Sequence, residues 1–274
     1  MSTSTRSGSI AAWASEALNY PLDALSSLES KTIVISGASS GIGRGFAVAA
    51  ARLGASVILM ARREDRLREV ASVIQQFGAR VEPIAVDLSD RKSLRQAAEH
   101  ALTMFGGPDV LVNAAGVNHR RAASDVADED WDQTWEINVS ASFFLSQSLV
   151  PTMIAKGWGR VINIASLQSV RAFPNSISYG ASKGAIVQLT RAMAESWSSQ
   201  GVLCNAIAPG FIPTELTEQI AQDPAAVQAL SAKTMIGRVG RVTDLFGPLS
   251  FLASEASAYV TGQTIFVDGG FTAK

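Results

Sequence analysis

Short runs of β-branched residues, each followed by a stretch with helical periodicity, recur along this chain and restrict it to very few folds. Thr32-Ile-Val-Ile-Ser36 comes first, then Ser56-Val-Ile-Leu-Met60 and Val81 to Val86. Asp109-Val-Leu-Val-Asn113, Arg160 to Ala165, Val202 to Ala208 and Gln263-Thr-Ile-Phe-Val267 complete the set. The segments between them suit helices: Arg44–Leu53, Glu64–Phe77, a stretch capped by the run Asp87-Leu88-Ser89-Asp90 and closing at Phe105, Trp131–Ile154, the segment holding Tyr179 and Lys183, and Thr243–Leu252. A polar, partly helical segment covers Pro213 to about Gly240. Strands alternating with helices predict a doubly wound α/β fold: one parallel sheet of about seven strands, helices on both faces, right-handed crossovers. At 274 residues, 47% hydrophobic and 17% charged, the chain has ample apolar material for one such core.

No linker or repeat divides the sequence, so it reads as an N-terminal extension over residues 1–30 and one domain over residues 31–274. Within the extension Ile10, Trp13, Ala14, Ala17 and Leu18 recur at helical spacing, a stripe that could pack on the domain or on a second subunit. Net charge is −1 and no basic run exists, so no nucleic-acid partner is expected. No uninterrupted apolar stretch approaches the length of a membrane span, and no membrane partner is expected. One cysteine, Cys204, precludes an intrachain disulfide and fits a cytoplasmic setting. With two histidines, His100 and His119, and no ligand spacing, no metal site is expected.

The first predicted strand ends in Gly37-Ala-Ser39-Ser40-Gly41-Ile42-Gly43, directly before a helix. That context suits backbone approaching a pyrophosphate at a helix N-terminus, though a tight structural turn would need the same glycines. The second strand ends in Ala61-Arg62-Arg63, where an NAD enzyme commonly carries an acid for the ribose hydroxyls. Two guanidiniums could instead clasp a 2′-phosphate, which favours NADP(H) over NAD(H); two solvated arginines are the alternative. Asp87 and Asn113, at strand ends on the same edge, are expected adenine- and ribose-side contacts.

Tyr179 and Lys183 stand four residues apart in a segment of good helix formers, hence one turn apart on one helix face. A free tyrosine, with a pKa of about 10, is a poor catalyst at neutral pH. A neighbouring ammonium would pull it down toward the working range. Ser166 closes the fifth strand, at the sheet edge where open α/β folds display functional groups, and its hydroxyl could hold the substrate oxygen that Tyr179 protonates.

Over about residues 28–271 the chain resembles the short-chain dehydrogenases/reductases. The resemblance is carried by Ser36-Gly37-Ala-Ser-Ser-Gly41-Ile-Gly43, Asp87-Leu88, Asn113-Ala114-Ala-Gly116, Asn138, Ser166, Tyr179-x-x-x-Lys183, Pro209-Gly210-Phe-Ile212-Pro-Thr214 and Asp268-Gly269-Gly270. Ser36 replaces the usual threonine, and Ala114 stands where an asparagine is frequent. The resemblance implies a Rossmann-type fold and the interconversion of a secondary alcohol and a ketone by hydride transfer. Tyr179 would be the acid/base and Ser166 the carbonyl's hydrogen-bond partner. Lys183 would depress Tyr179 and bind the nicotinamide ribose, and Asn138 would hold a helix open for a relay water. It places Gly37, Ser39, Ser40, Gly41, Ile42, Gly43, Leu88, Ala114, Gly116, Pro209, Gly210, Ile212 and Thr214 along the cofactor, and it implies a homo-oligomer, tetramer or dimer.

For the substrate, Ile164-Ala-Ser-Leu-Gln168, the His119-Arg120-Arg121 loop and the C-terminal strand look most like gluconate 5-dehydrogenases and other sugar-acid or polyol dehydrogenases. Ser166, Gln168, Tyr179 and Phe211 are the expected pocket residues. Relatives with the same motifs reduce 3-oxoacyl thioesters or other carbonyl compounds, so a 3-oxoacyl or general carbonyl reductase is the alternative. A dinucleotide-binding regulator without turnover is the alternative of another class, although a pure binder has no need of Asn138, Ser166, Tyr179 and Lys183 together.

Overall fold

A computed structural model of the chain describes residues 25–274. Seven strands form one parallel sheet in the order β3-β2-β1-β4-β5-β6-β7. They are β1 (Thr32–Ser36), β2 (Ser56–Ala61), β3 (Val81–Ala85), β4 (Val110–Asn113), β5 (Gly159–Ile164), β6 (Val202–Pro209) and β7 (Thr264–Val267). Every residue of β1, β2, β4 and β5 is buried, because helices cover both faces of the sheet. The edge strands β3 and β7 are only partly buried, and β3 accommodates Pro83, a residue tolerated at a sheet edge.

Among the described residues the helices of eight or more residues are α1 (Gly41–Arg52), α2 (Glu64–Gln75), α3 (Arg91–Thr103), α4 (Asp128–Ala155), α5 (Ile177–Trp197), α6 (Pro224–Lys233) and α7 (Phe246–Ala253). The sequence itself sets their starts. Asp90 caps α3 by accepting from the Lys92 and Ser93 amides, and Glu64 and Asp65 sit in the first turn of α2, where acids favour the helix dipole. One face of the sheet packs Ile33, Ile35, Val57 and Leu59 against α1, α2 and α7. The other packs Val34, Ile58, Leu111 and Val161 against α3, α4 and α5.

α4 is longer at its start than the sequence suggests, and a π-turn over Glu136–Ser140 interrupts it at Asn138. By length and composition it could cross a membrane, but half of that apolar window is buried in the fold. The helical stripe anticipated over residues 10–18 lies outside the described residues. Residues 25–30 belong with the folded unit: Leu28 is fully buried, its amide donates to the Leu53 carbonyl, and Leu25 accepts from the Ala256 amide. Cys204, in β6, is fully buried, and burial pushes its thiol up to about 12.

Candidate active site

Strand order reverses between β1 and β4, and at such a point an open sheet leaves a crevice beyond the carboxyl ends of its strands. A cleft of about 490 Å³ lies there. Ser36 holds its floor together: the hydroxyl at the end of β1 accepts from the Ala114 and Ala115 amides past the end of β4, at 3.1 and 3.2 Å. Serine thus supplies the hydroxyl that the usual threonine would.

The glycine turn lines one end of this cleft through Gly37, Ser39, Ser40, Gly41, Ile42 and Gly43. Gly37 has φ +68°, and a Cβ there would lie 2.8 Å from the Ala115 backbone. A Cβ on Gly43 would meet the Gly37 carbonyl oxygen at 2.4 Å. Both glycines are therefore required by the turn's own closeness. Ser40, the N-cap of α1, is extended and its side chain caps nothing, and no acid lies in the first turn. The free amides and positive end of α1 are left facing the cleft, which suits an anion such as a pyrophosphate.

Arg62 and Arg63, Asp87 and Leu88, Ala114 and Gly116 continue the lining, with Pro209, Gly210, Ile212 and Thr214 opposite. Asp87 keeps its shape by accepting from the Ser89 amide and hydroxyl at 2.9 and 2.7 Å. Arg63 is less free than its sequence context suggests. Its Nη2 is 2.9 Å from the Glu215 carboxylate and 3.2 Å from the Ser39 hydroxyl. An acid does stand at this end of the cleft, delivered by a loop remote in sequence.

At the other end Ser166, Tyr179 and Lys183 come together, all three buried. Ser166 stands two residues past the end of β5 and turns the chain by accepting from the Gln168 amide at 3.1 Å. Lys183 donates to the Ile164 carbonyl at 2.6 Å, and its Nζ stands 5.6 Å from the centre of the Tyr179 ring. The electrostatics differ from the sequence expectation. Burial raises the Tyr179 pKa, and the Ser166 hydroxyl and the Arg120 guanidinium only partly oppose that rise. Burial also lowers Lys183, to about 8. Desolvation outweighs the neighbouring charge, so Tyr179 is held as the protonated phenol at neutral pH, the form that donates a proton.

Asn138 does not face the cleft. Its amide is 1% exposed, donates to the Val117 carbonyl and the Ser182 hydroxyl at 3.0 Å each, and accepts from the Val117 amide at 2.8 Å. It locks the loop after β4 to the helix that carries Tyr179. Gly116 lies close under it: a Cβ there would stand 3.4 Å from Asn138 Oδ1 and 3.7 Å from Lys183 Nζ.

Three expected contacts fall elsewhere. Asn113 turns its amide into the core, donating to the Ser142 carbonyl, the Ser146 hydroxyl and Asn163 Oδ1, so its side chain is structural. The β4–β5 register sets Asn113 opposite Asn163, and the two amides pair. Phe211 lines a second cavity of about 150 Å³ with Leu230, Ile236 and Phe271. Gln168 lines neither cavity, and its buried Oε1 has no partner. Glu215, Val117 and Ser182 are site residues that no motif announced, since each matters through a partner distant in sequence. Among the described residues no cluster of three or more His, Cys, Asp or Glu could hold a metal.

A glycine-lined anion cradle, guanidiniums at one end and a buried Ser-Tyr-Lys group at the other fit an extended dinucleotide. Comparison with known proteins agrees. The family model described as enoyl-(acyl carrier protein) reductase matches residues 37–272. The gluconate 5-dehydrogenase of Gluconobacter oxydans is 36% identical over 248 residues, 90% of this chain and 97% of that protein. The 3-oxoacyl-[acyl-carrier-protein] reductase of Thermotoga maritima is 33% identical over 243 residues, 89% of this chain and 98% of that protein. The crystal structure of a gluconate 5-dehydrogenase from Burkholderia cenocepacia, in complex with NADP and tartrate, superposes with a TM-score of 0.87 at 34% identity and covers 91% of this chain and 98% of that one. The chain belongs to the short-chain dehydrogenase/reductase family and is an oxidoreductase.

Proposed function

We propose that the chain is an NADP(H)-dependent dehydrogenase/reductase that interconverts a secondary alcohol and a ketone on a sugar acid or keto-sugar acid. The carrying observation is the buried Ser166, Tyr179 and Lys183 brought together at one end of the cleft, with the Arg120 charge also acting on Tyr179. A cation whose charge reaches Tyr179 suits a substrate that carries a carboxylate beside its ketone. The sugar-acid relatives and the tartrate in the Burkholderia cenocepacia structure support the same class.

The nicotinamide dinucleotide, when bound, supplies hydride exchange at the substrate carbon. The chain's residues do the rest. Ser166 donates a hydrogen bond to the carbonyl oxygen and fixes its position. Tyr179, held as the phenol by burial, gives its proton to that oxygen in reduction and takes one back in oxidation. Lys183, with its pKa near 8, is mostly cationic at neutral pH and offers both charge and donors toward the cofactor ribose. Asn138 is a positioning residue that keeps the loop at Val117 fixed against α5. Arg62 and Arg63, with no acid at the end of β2, support the preference for NADP(H).

Two further readings accompany this one. The partly buried Phe143 and the 39% exposed Trp131 of α4 support a homo-oligomer, dimer or tetramer, built on α4 and α5. The single buried thiol supports a cytoplasmic setting. The alternative substrate class is a 3-oxoacyl thioester, favoured by the likeness to the Thermotoga maritima reductase.

The test is turnover of NADPH and NADH with 5-ketogluconate, an acetoacetyl thioester and neutral aryl ketones, using wild type, Tyr179→Phe and Arg120→Gln. The proposal expects 5-ketogluconate to react fastest, with NADPH, and Tyr179→Phe to lose about 10²-fold or more in kcat. Arg120→Gln should raise KM for the keto acid by about tenfold, the loss of one charged hydrogen bond, and leave neutral ketones unchanged. Faster turnover of the acetoacetyl thioester selects the alternative.

A further inference from the structure

We propose that Glu215 is a specificity-determining residue of the cofactor site: its carboxylate competes with a 2′-phosphate for Arg63 and so sets how strongly NADP(H) is favoured. This rests on the NADP(H) reading above. Arg63 presents one nitrogen, Nη2, to both Glu215 at 2.9 Å and Ser39 at 3.2 Å, while the arginine and glutamate side chains are 45% and 51% exposed. All three residues line the cleft beside Arg62, which forms no ion pair among the described residues. A phosphate at the end of β2 needs the same donors that the carboxylate occupies, and the two anions repel one another.

The loop delivers Glu215 by construction. Thr217 Oγ1 donates to the Ile212 carbonyl at 2.7 Å and accepts from the Thr214 amide at 2.9 Å, which fixes the turn from which Glu215 projects. The pair is solvent-exposed and therefore weak enough for a phosphate to displace. Glu215 thus lowers affinity for the 2′-phosphate without abolishing it, and an unmodified ribose leaves the ion pair undisturbed.

Isothermal titration with 2′,5′-ADP and 5′-AMP isolates the phosphate, since neither probe carries a nicotinamide and no turnover is involved. Wild type, Glu215→Gln, Arg63→Gln and the double variant are compared. Glu215→Gln should tighten 2′,5′-ADP by about fivefold, the upper end for an exposed ion pair, and leave 5′-AMP within about twofold. The gain should vanish in the Arg63→Gln background, because the competition is for that side chain. A gain that persists without Arg63 overturns the proposal, as does weaker or unchanged binding of 2′,5′-ADP by Glu215→Gln. A wild type that does not prefer 2′,5′-ADP over 5′-AMP overturns the NADP(H) reading itself, and this proposal with it.

Discussion

Replacing Lys183 with methionine should make the protein more stable and inactive at the same time. The ammonium is 4% exposed, and burial lowers its pKa from 10.5 to about 8. Between those two values the unfolded chain holds a proton that the folded chain has released, so stability rises with pH from about 8 to 10.5 and is lowest below 8. At pH 7 keeping the charge buried costs the fold about 3 kcal/mol relative to an uncharged side chain. Lys183→Met keeps the apolar stem and removes the charge, but it also takes a donor from the Ile164 carbonyl, now bonded at 2.6 Å. That loss returns about 1–2 kcal/mol, leaving a net gain of about 1–2 kcal/mol at pH 7. By pH 9.5 the wild type recovers about 2 kcal/mol relative to the variant, so the gain disappears or reverses. Urea unfolding of both proteins at pH 7, 8 and 9.5 measures the difference directly. A variant less stable than wild type at pH 7, or a difference that does not change with pH, refutes the reasoning.

Two other substitutions separate architecture from ligand contact. Gly43→Ala places a methyl where the Gly37 carbonyl already stands, 2.4 Å away, and should cost about 1–3 kcal/mol in thermal stability. NADPH affinity, followed by cofactor fluorescence, should fall with it, and an unchanged affinity would show that the turn does not bind the cofactor. Asn113→Ala removes a buried amide from three partners and should cost about 1–3 kcal/mol, with NADPH affinity within about twofold of wild type. A tenfold loss of affinity at unchanged stability would return Asn113 to the ligand.

The strands were legible because burial on both faces forces continuous apolar runs such as Val110-Leu-Val and Ser56-Val-Ile-Leu. The cleft was legible wherever a residue acts through its backbone or its place at a strand end: the glycine turn, Asp87, Pro209 and Thr214 all line it. What sequence spacing could not give was the direction of a side chain at a strand end. Asn113 and Ala114 are neighbours, yet one points into the core and the other lines the cleft. Nor could spacing weigh charge against burial. The spacing of Tyr179 and Lys183 places them on one helix face, but the sign of the Tyr179 shift depends on the surrounding desolvation. The Arg63–Glu215 ion pair joins a strand end to a remote loop and leaves no local pattern.

Cys204 turns the interior of the fold into a clock. Its thiol is the only one in the chain, is fully enclosed and is essentially without thiolate at neutral pH. A thiol-reactive dye can modify it only in molecules where the α4 and α5 side chains packed over this face of the sheet have moved off it. Breathing of the loops around the cleft is invisible to such a dye, so the modification rate counts openings of the whole fold. Any small molecule that binds the closed form slows that count in proportion to its occupancy. The chain therefore carries a label-ready report on what it binds, at a position that touches none of the chemistry.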